Sequence, residues 1–199
     1  MPRAGLTTAE VVAAGAVMAD EAGLDAVTLA ALAGRLGVKP PALYKHVDGL
    51  GDLRHRIAAL AMSEFGDALR DALQGRAGLD ALTALFTVLR GYAARHPGRY
   101  SATTGAEFRG PDDPLLTASV RVIGSISAVL SGYGIAPGET DHAIRSLRCM
   151  IHGFASLQAA DGFQWGNDPD ESFDWMIRFV DAGLRAAGRQ QTSRQQARR

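Results

Sequence analysis

The chain has 199 residues, 47% of them apolar and 21% charged, with a formal net charge of zero. This composition excludes intrinsic disorder, collagen-like repeats and disulfide frameworks, and the length suffices for one medium domain or a small one joined to a larger one. The longest uncharged stretch, residues 122–138, is only 17 residues long and diluted by Ser and Gly, so it fails as a membrane span. Glu10, Asp20 and Glu21 interrupt any signal-peptide core. A single cysteine, Cys149, excludes an intrachain disulfide and fits a reducing compartment. The expectation is a cytoplasmic protein with no membrane partner.

Charge is unevenly distributed along the chain. Residues 185–199 hold five arginines and no acid, which leaves the first 184 residues at a net −5. A second basic excess covers residues 35–56, with Arg35, Lys39, Lys45, Arg54 and Arg56, and it contains both lysines of the protein.

In chain order, apolar residues recur with a helical period and almost no strand-like alternation, which predicts an all-α fold. Thr7 to Glu10 reads as a capping box, as does Asp168 to Glu171, and Asp113-Pro114 opens another helix. These signals and the Gly/Pro breaks predict nine helices, near 7–22, 28–36, 40–46, 50–73, 78–95, 97–104, 114–133, 138–161 and 169–187. The expected organisation is a helix-turn-helix domain over 1–48, a larger helical domain over 49–188, and a disordered Arg/Gln-rich tail over 189–199.

Residues 28–47 carry the strongest signal. Leu29, Leu32, Ala33 and Leu36 form one apolar face, Thr28 caps it, and Gly37 permits a tight turn. A second short helix starts at Pro40 or Pro41 and buries Leu43 and Val47. Such a pair forms a helix-turn-helix whose second helix fits a DNA major groove. With Leu43 and Val47 inward, Lys39, Ala42, Lys45 and His46 project outward, and Tyr44 can bring its hydroxyl to a phosphate. Lys39 and Lys45 suit phosphates or guanine edges, Ala42 a thymine methyl, and Thr28 with its helix N-terminus another phosphate. A solvated helical corner is the competing reading.

These residues resemble the TetR family of bacterial regulators. The resemblance covers about residues 7–60 and is carried by Thr28-Leu29, Ala33, Leu36-Gly37-Val38, Pro41, Leu43-Tyr44-Lys45-His46-Val47 and the helix from Leu50. It implies that Tyr44 and His46 contact the DNA backbone. One departure stands out: Leu50 occupies the place of a phosphate-gripping Lys, which shifts anchoring to Lys45, Tyr44 and Arg54. Further along, Arg95 to Tyr100 and Arg145 to Phe163 resemble the WHG type of C-terminal domain, with Ile151 where the name-giving Trp would be. The family implies a helical ligand-binding and dimerisation domain there.

The last helix carries two apolar stripes: Phe173, Met176, Ile177, Val180 and Leu184 on one, Trp175, Phe179, Ala182 and Ala186 on the other. A surface helix needs one. The second stripe predicts a homodimer interface shared with Gly153, whose lack of a side chain allows close approach; a helix sandwiched within one subunit is the alternative. Phe65, Phe86, Tyr100, Phe108 and Ile126, with Arg148 and His152 as polar contacts, are the expected lining of an effector pocket, on helices the family uses for that purpose. Cys149 and His152 lack an orienting acid or amide, so a buried structural thiol is expected, and no metal or cofactor is implied. The reading is a non-enzymatic repressor that binds palindromic operator DNA as a homodimer and is released by a small-molecule effector. The alternative is a helical ligand-binding protein or enzyme whose N-terminal motif does not read DNA.

Overall fold

A computed structural model describes residues 5–166 and 168–196, except the side chains of 191–196. Eight α-helices and three short 3₁₀ helices are found among the described residues: α1 (Thr8–Ala22), α2 (Leu29–Leu36), α3 (Leu50–Leu73), α4 (Gly78–Arg95), α5 (Pro97–Thr104), α6 (Pro114–Gly132), α7 (Thr140–Ala159) and α8 (Pro169–Gln196). The 3₁₀ turns are Leu24–Ala26, Pro40–Lys45 and Pro137–Glu139.

The expected all-α fold is what forms, with two differences. The element at 40–46 is a 3₁₀ helix over Pro40–Lys45, because two successive prolines lack amide protons and the remaining bonds close over three residues, Ala42 to Lys39 and His46 to Leu43. The expected tail from 189 begins inside a helix: α8 continues through Gln196. Arg and Gln are good helix formers and no Gly or Pro follows Gly188 to stop it. Residues 197–199 lie outside the described part.

The chain divides into two compact units, Met1–Glu64 with Arg95–Ser119, and Phe65–Ala94 with Val120–Arg199. The boundary expected at 48/49 therefore falls inside the first unit, which also takes in α5 and the start of α6. Its core is Val11, Ala16, Ala19, Val27, Leu32, Ala33, Leu43, Val47, Leu53 and Ile57, joined by Ala102 and Leu115. α5 belongs here for a steric reason. Gly98 lies so close to α1 that a Cβ would overlap the carbonyl of Ala19. Beside that contact, Asp20 accepts a hydrogen bond from the Arg99 backbone at 2.9 Å and pairs with the Arg99 and His96 side chains at 3.1 Å. Asp20 of α1 thus caps α5.

In the second unit, Phe86, Phe154 and Phe173 cluster with ring centroids 5.1 to 6.3 Å apart, and Phe65 packs on Tyr92. Here Gly188 meets the carbonyl of Tyr133, again with no room for a Cβ. Tyr133 donates to Asp181 at 2.6 Å; burial and that carboxylate push its phenol above the usual tyrosine range.

α6 starts eight residues before the uncharged stretch and, at 19 residues and a mean hydropathy of 1.5, is long and apolar enough to cross a membrane by length and composition alone. Its Leu115, Ala118, Val122, Val129 and Leu130 are buried within the protein, and Arg121 pairs with Asp67. Val120 and Ile123 of the same helix are exposed.

Candidate nucleic-acid interface

The N-terminal corner is held by caps and one turn. Thr28 Oγ1 accepts the Ala31 amide, which fixes the start of α2. Gly37 ends it with φ 67°, in the left-handed region where a side chain is strained, and the Val38 amide returns to the Ala33 carbonyl. The chain is thereby turned into Pro40–Lys45, where Leu43 and Val47 are sealed into the core.

The opposite face of the turn is open. Tyr44 is 60% exposed, and Lys39, Pro41 and Lys45 are exposed beside it. Ala42 and His46 are half-buried; His46 Nδ1 lies 3.3 Å from Thr8 Oγ1, which ties the end of the turn to α1. Thr28 is exposed but its hydroxyl is engaged as the cap. The seven residues expected to meet DNA thus lie on or beside one short corner, with two cations and a phenol directed to solvent. Leu50 packs onto the core. Arg54, expected to help with anchoring, instead donates to the Leu24 carbonyl at 3.1 Å and meets Asp25 at 3.4 Å.

The first turn of α3 is fastened from further along the chain. Asp52 accepts from the Asp48 amide and Arg56, and Arg109 donates to Asp52 at 3.0 Å and to the Gly51 carbonyl at 3.0 Å. One turn on, His55 Nε2 is 2.9 Å from Asp113, which also accepts from the backbone of Arg109 and Leu115. Burial opposes the charge of Asp113, yet these three bonds outweigh it and hold the carboxyl down at about 2. In the sequence Asp113 reads only as a helix start; the pairing with His55, 58 positions away, has no local signal.

Over residues 82–180 the chain matches the family described as Tetracyclin repressor-like, C-terminal domain. It is 34% identical over 184 residues to the uncharacterised HTH-type transcriptional regulator YobS of Bacillus subtilis (strain 168), covering 92% of this chain and 95% of that one. It is 37% identical over 166 residues to the uncharacterised HTH-type transcriptional regulator Rv0681 of Mycobacterium tuberculosis, covering 83% and 75%. The chain belongs to the TetR family. As a TetR-family member it is a DNA-binding transcriptional regulator, and it shares its fold with solved structures. One is ActR of Streptomyces coelicolor in complex with (S)-DNPA, with a TM-score of 0.71, 19% identity, and 92% and 98% of the two chains covered. Another is a variant of TetR from Acinetobacter baumannii AYE in complex with minocycline, with a TM-score of 0.69, 22% identity, and 90% and 96% covered.

The residues expected to line an effector pocket are divided between the two units. Phe65, Phe86 and Ile126 belong to the second unit, where the two phenylalanines are buried and Ile126 is half-buried. Tyr100 and Phe108 belong to the first, and Phe108 is 54% exposed. On α7 the buried face is Leu147, Ile151, Phe154 and Ala155, and Arg148, at the edge of that face beside Ala155, is exposed. His152 is half-buried, 3.5 Å from Ser156 Oγ. Cys149 is exposed, contrary to the buried thiol expected, because its position on α7 lies opposite that buried face.

On α8 the two stripes separate. Phe173, Ile177, Val180 and Leu184 are buried in the unit, with Met176 half-buried. Trp175 and Phe179 are 61% and 57% exposed and stacked on each other at 5.3 Å, with Ala182 exposed and Ala186 half-buried on the same side. Gly153 on α7 is half-buried.

Proposed function

We propose that this TetR-family regulator acts in the cytoplasm as a homodimeric repressor that occupies a palindromic operator and leaves it when a small molecule binds the C-terminal unit, with no catalytic step. The observation that carries the reading is the two-faced turn: Leu43 and Val47 sealed inside, Tyr44, Lys39 and Lys45 outside. In this reading Lys39 and Lys45 reach phosphates or guanine edges, Ala42 meets a thymine methyl, Tyr44 and His46 hydrogen-bond the backbone, and Pro41 and Thr28 flank them. One such turn meets few base pairs, so adequate specificity takes two, one helical turn of DNA apart.

A second copy joined through Gly153, Trp175, Phe179, Ala182 and Ala186 supplies the other. Two stacked aromatics left open to solvent support this, since monomers rarely expose a contiguous apolar patch. A ligand response is supported by the small molecules in the ActR and TetR complexes. In this reading Phe65, Phe86 and Ile126 of the second unit supply apolar contacts to that ligand, and Arg148 and His152 polar ones. A ligand that prefers one conformation lowers operator affinity by the ratio of its affinities for the two, about 5- to 150-fold for a coupling of ~1–3 kcal/mol.

Selection from a random duplex library tests the reading. The expected product is a palindrome with half-sites one turn apart, bound by two chains. A ligand-binding protein or enzyme with an N-terminal motif that does not read DNA would enrich no sequence.

A further inference from the structure

Arg90 of α4 is the polar residue around which the aromatic cluster of the second unit is arranged, and its side chain is 19% exposed. Its guanidinium lies 4.5 Å from the centre of the Phe173 ring and 5.2 Å from that of Phe154. Phe163, from the connection between α7 and α8, packs on Phe154 at 4.8 Å. Nε donates to Gln158 Oε1 at 2.8 Å and Nη2 to Asp170 Oδ1 at 2.5 Å. The other N–H donors of the guanidinium have no partner among the described residues.

The ion pair is lopsided. Arg90 is enclosed, whereas Asp170, in the first turn of α8, has 73% of its side chain in water. An exposed carboxylate can leave such a pair and be rehydrated at small cost, while the guanidinium stays held on the rings, with donors in the fork geometry that a carboxylate fits with two bonds. An enclosed, forked cation whose exposed counter-ion can leave offers two bonds to another carboxylate, and half-buried Phe163, at the edge of the same ring cluster, offers a flat contact.

We propose that Arg90 anchors the carboxylate of an aromatic acid, the effector class of this regulator, and that Asp170 is the internal carboxylate it displaces. The inference rests on the ligand-responsive reading above. It also supplies a route for the response: Asp170 begins α8, the helix that carries Trp175 and Phe179, so its release frees the start of the helix that bears the proposed dimer face.

The test uses the full chain with 1-naphthoate, indole-3-acetate and biphenyl-4-carboxylate, each beside its neutral amide. Binding is read by thermal shift and calorimetry, and operator release separately by fluorescence anisotropy. At least one acid should raise the Tm while its amide does not. Arg90→Met should weaken that acid by at least about tenfold, as expected for loss of a charge-assisted bidentate pair. Arg90→Lys keeps the charge but not the fork and should give an intermediate loss, which covers the case in which the methionine variant does not fold. Asp170→Asn removes the internal competitor and should tighten binding by about two- to fivefold, the factor an exposed pair is worth. The assignment is overturned if acids and amides behave alike, if Arg90→Lys binds as tightly as the wild type, or if Asp170→Asn weakens the acid. Binding that follows this pattern without operator release upholds the Arg90 site and sinks the ligand-responsive reading instead.

Discussion

The turn of the first unit separates its inside from its outside along the sequence, whereas the surroundings of Arg90 in the second do not. In residues 28–47 each residue's fate follows from its neighbours: Thr28 caps, Gly37 turns, Leu43 and Val47 go in, Tyr44 and Lys45 stay out. In the second unit the enclosed cation, Arg90, is fixed by Phe154, Gln158, Asp170 and Phe173, all more than 60 positions away. The helix-turn-helix corner is thus a local product of turn chemistry, and the enclosed cation of the second unit is a product of long-range packing. That contrast can be broken or sharpened by substitution.

The largest effects belong to the two glycines where helices touch backbone to backbone. Gly98→Ala forces a Cβ into the Ala19 carbonyl and should lower the stability of the first unit by about 3 kcal/mol or more, the upper range for overpacking. Gly188→Ala should do the same for the second unit against Tyr133. Urea denaturation followed by tryptophan fluorescence and by far-ultraviolet dichroism measures both; tolerance of either substitution would contradict the close approach. Next in size is Leu43→Ala, which empties a fully buried position under the exposed turn and should cost about 2–5 kcal/mol. Tyr44→Phe, one residue on, should leave the melting curve within about 0.5 kcal/mol of the wild type, as surface substitutions do. If the two variants melted alike, the inside and outside of the turn would not be divided as described.

A pH dependence follows from Asp113. Its carboxyl is held at about 2 in the folded chain and titrates near 4 when unfolded. Its contribution is therefore complete above about pH 4 and is lost as pH falls through about 2. Asp113→Asn should flatten that part of the acid-unfolding curve, and a curve of unchanged steepness would mean the bonds from Arg109, His55 and Leu115 do not favour the charged form. The smallest effect expected is from removing residues 191–199, which should leave specific operator binding in place. A protein that lost all DNA affinity on that deletion would owe it to the arginine-rich end.

Much of the fold was legible because its signals are local. Capping residues marked the starts of α1, α2 and α8, and a proline at the first helical position marked α5, α6 and α8. What composition could not supply was where a helix ends without a breaker, as in α8, or that paired prolines tighten a short helix to a 3₁₀ turn. For the site, alternation of Leu43 and Val47 with Tyr44 and Lys45 was enough to place the exposed face. Arg148 and His152 stand in the sequence as polar residues of a motif, while Arg90, in an ordinary LRGY stretch, owes its surroundings to α7 and α8. The two carboxylates that fasten the first unit, Asp20 and Asp113, were hidden for the same reason: their partners are 76 and 58 positions distant.

The direct test of the central claim is the salt dependence of operator binding for Lys45→Ala against the wild type, on the palindrome selected by the wild-type chain. Loss of one phosphate contact should weaken binding at every salt concentration and reduce the slope of log K against log salt by about one. An unchanged affinity and slope would mean that the exposed face of Pro40–Lys45 does not meet the duplex.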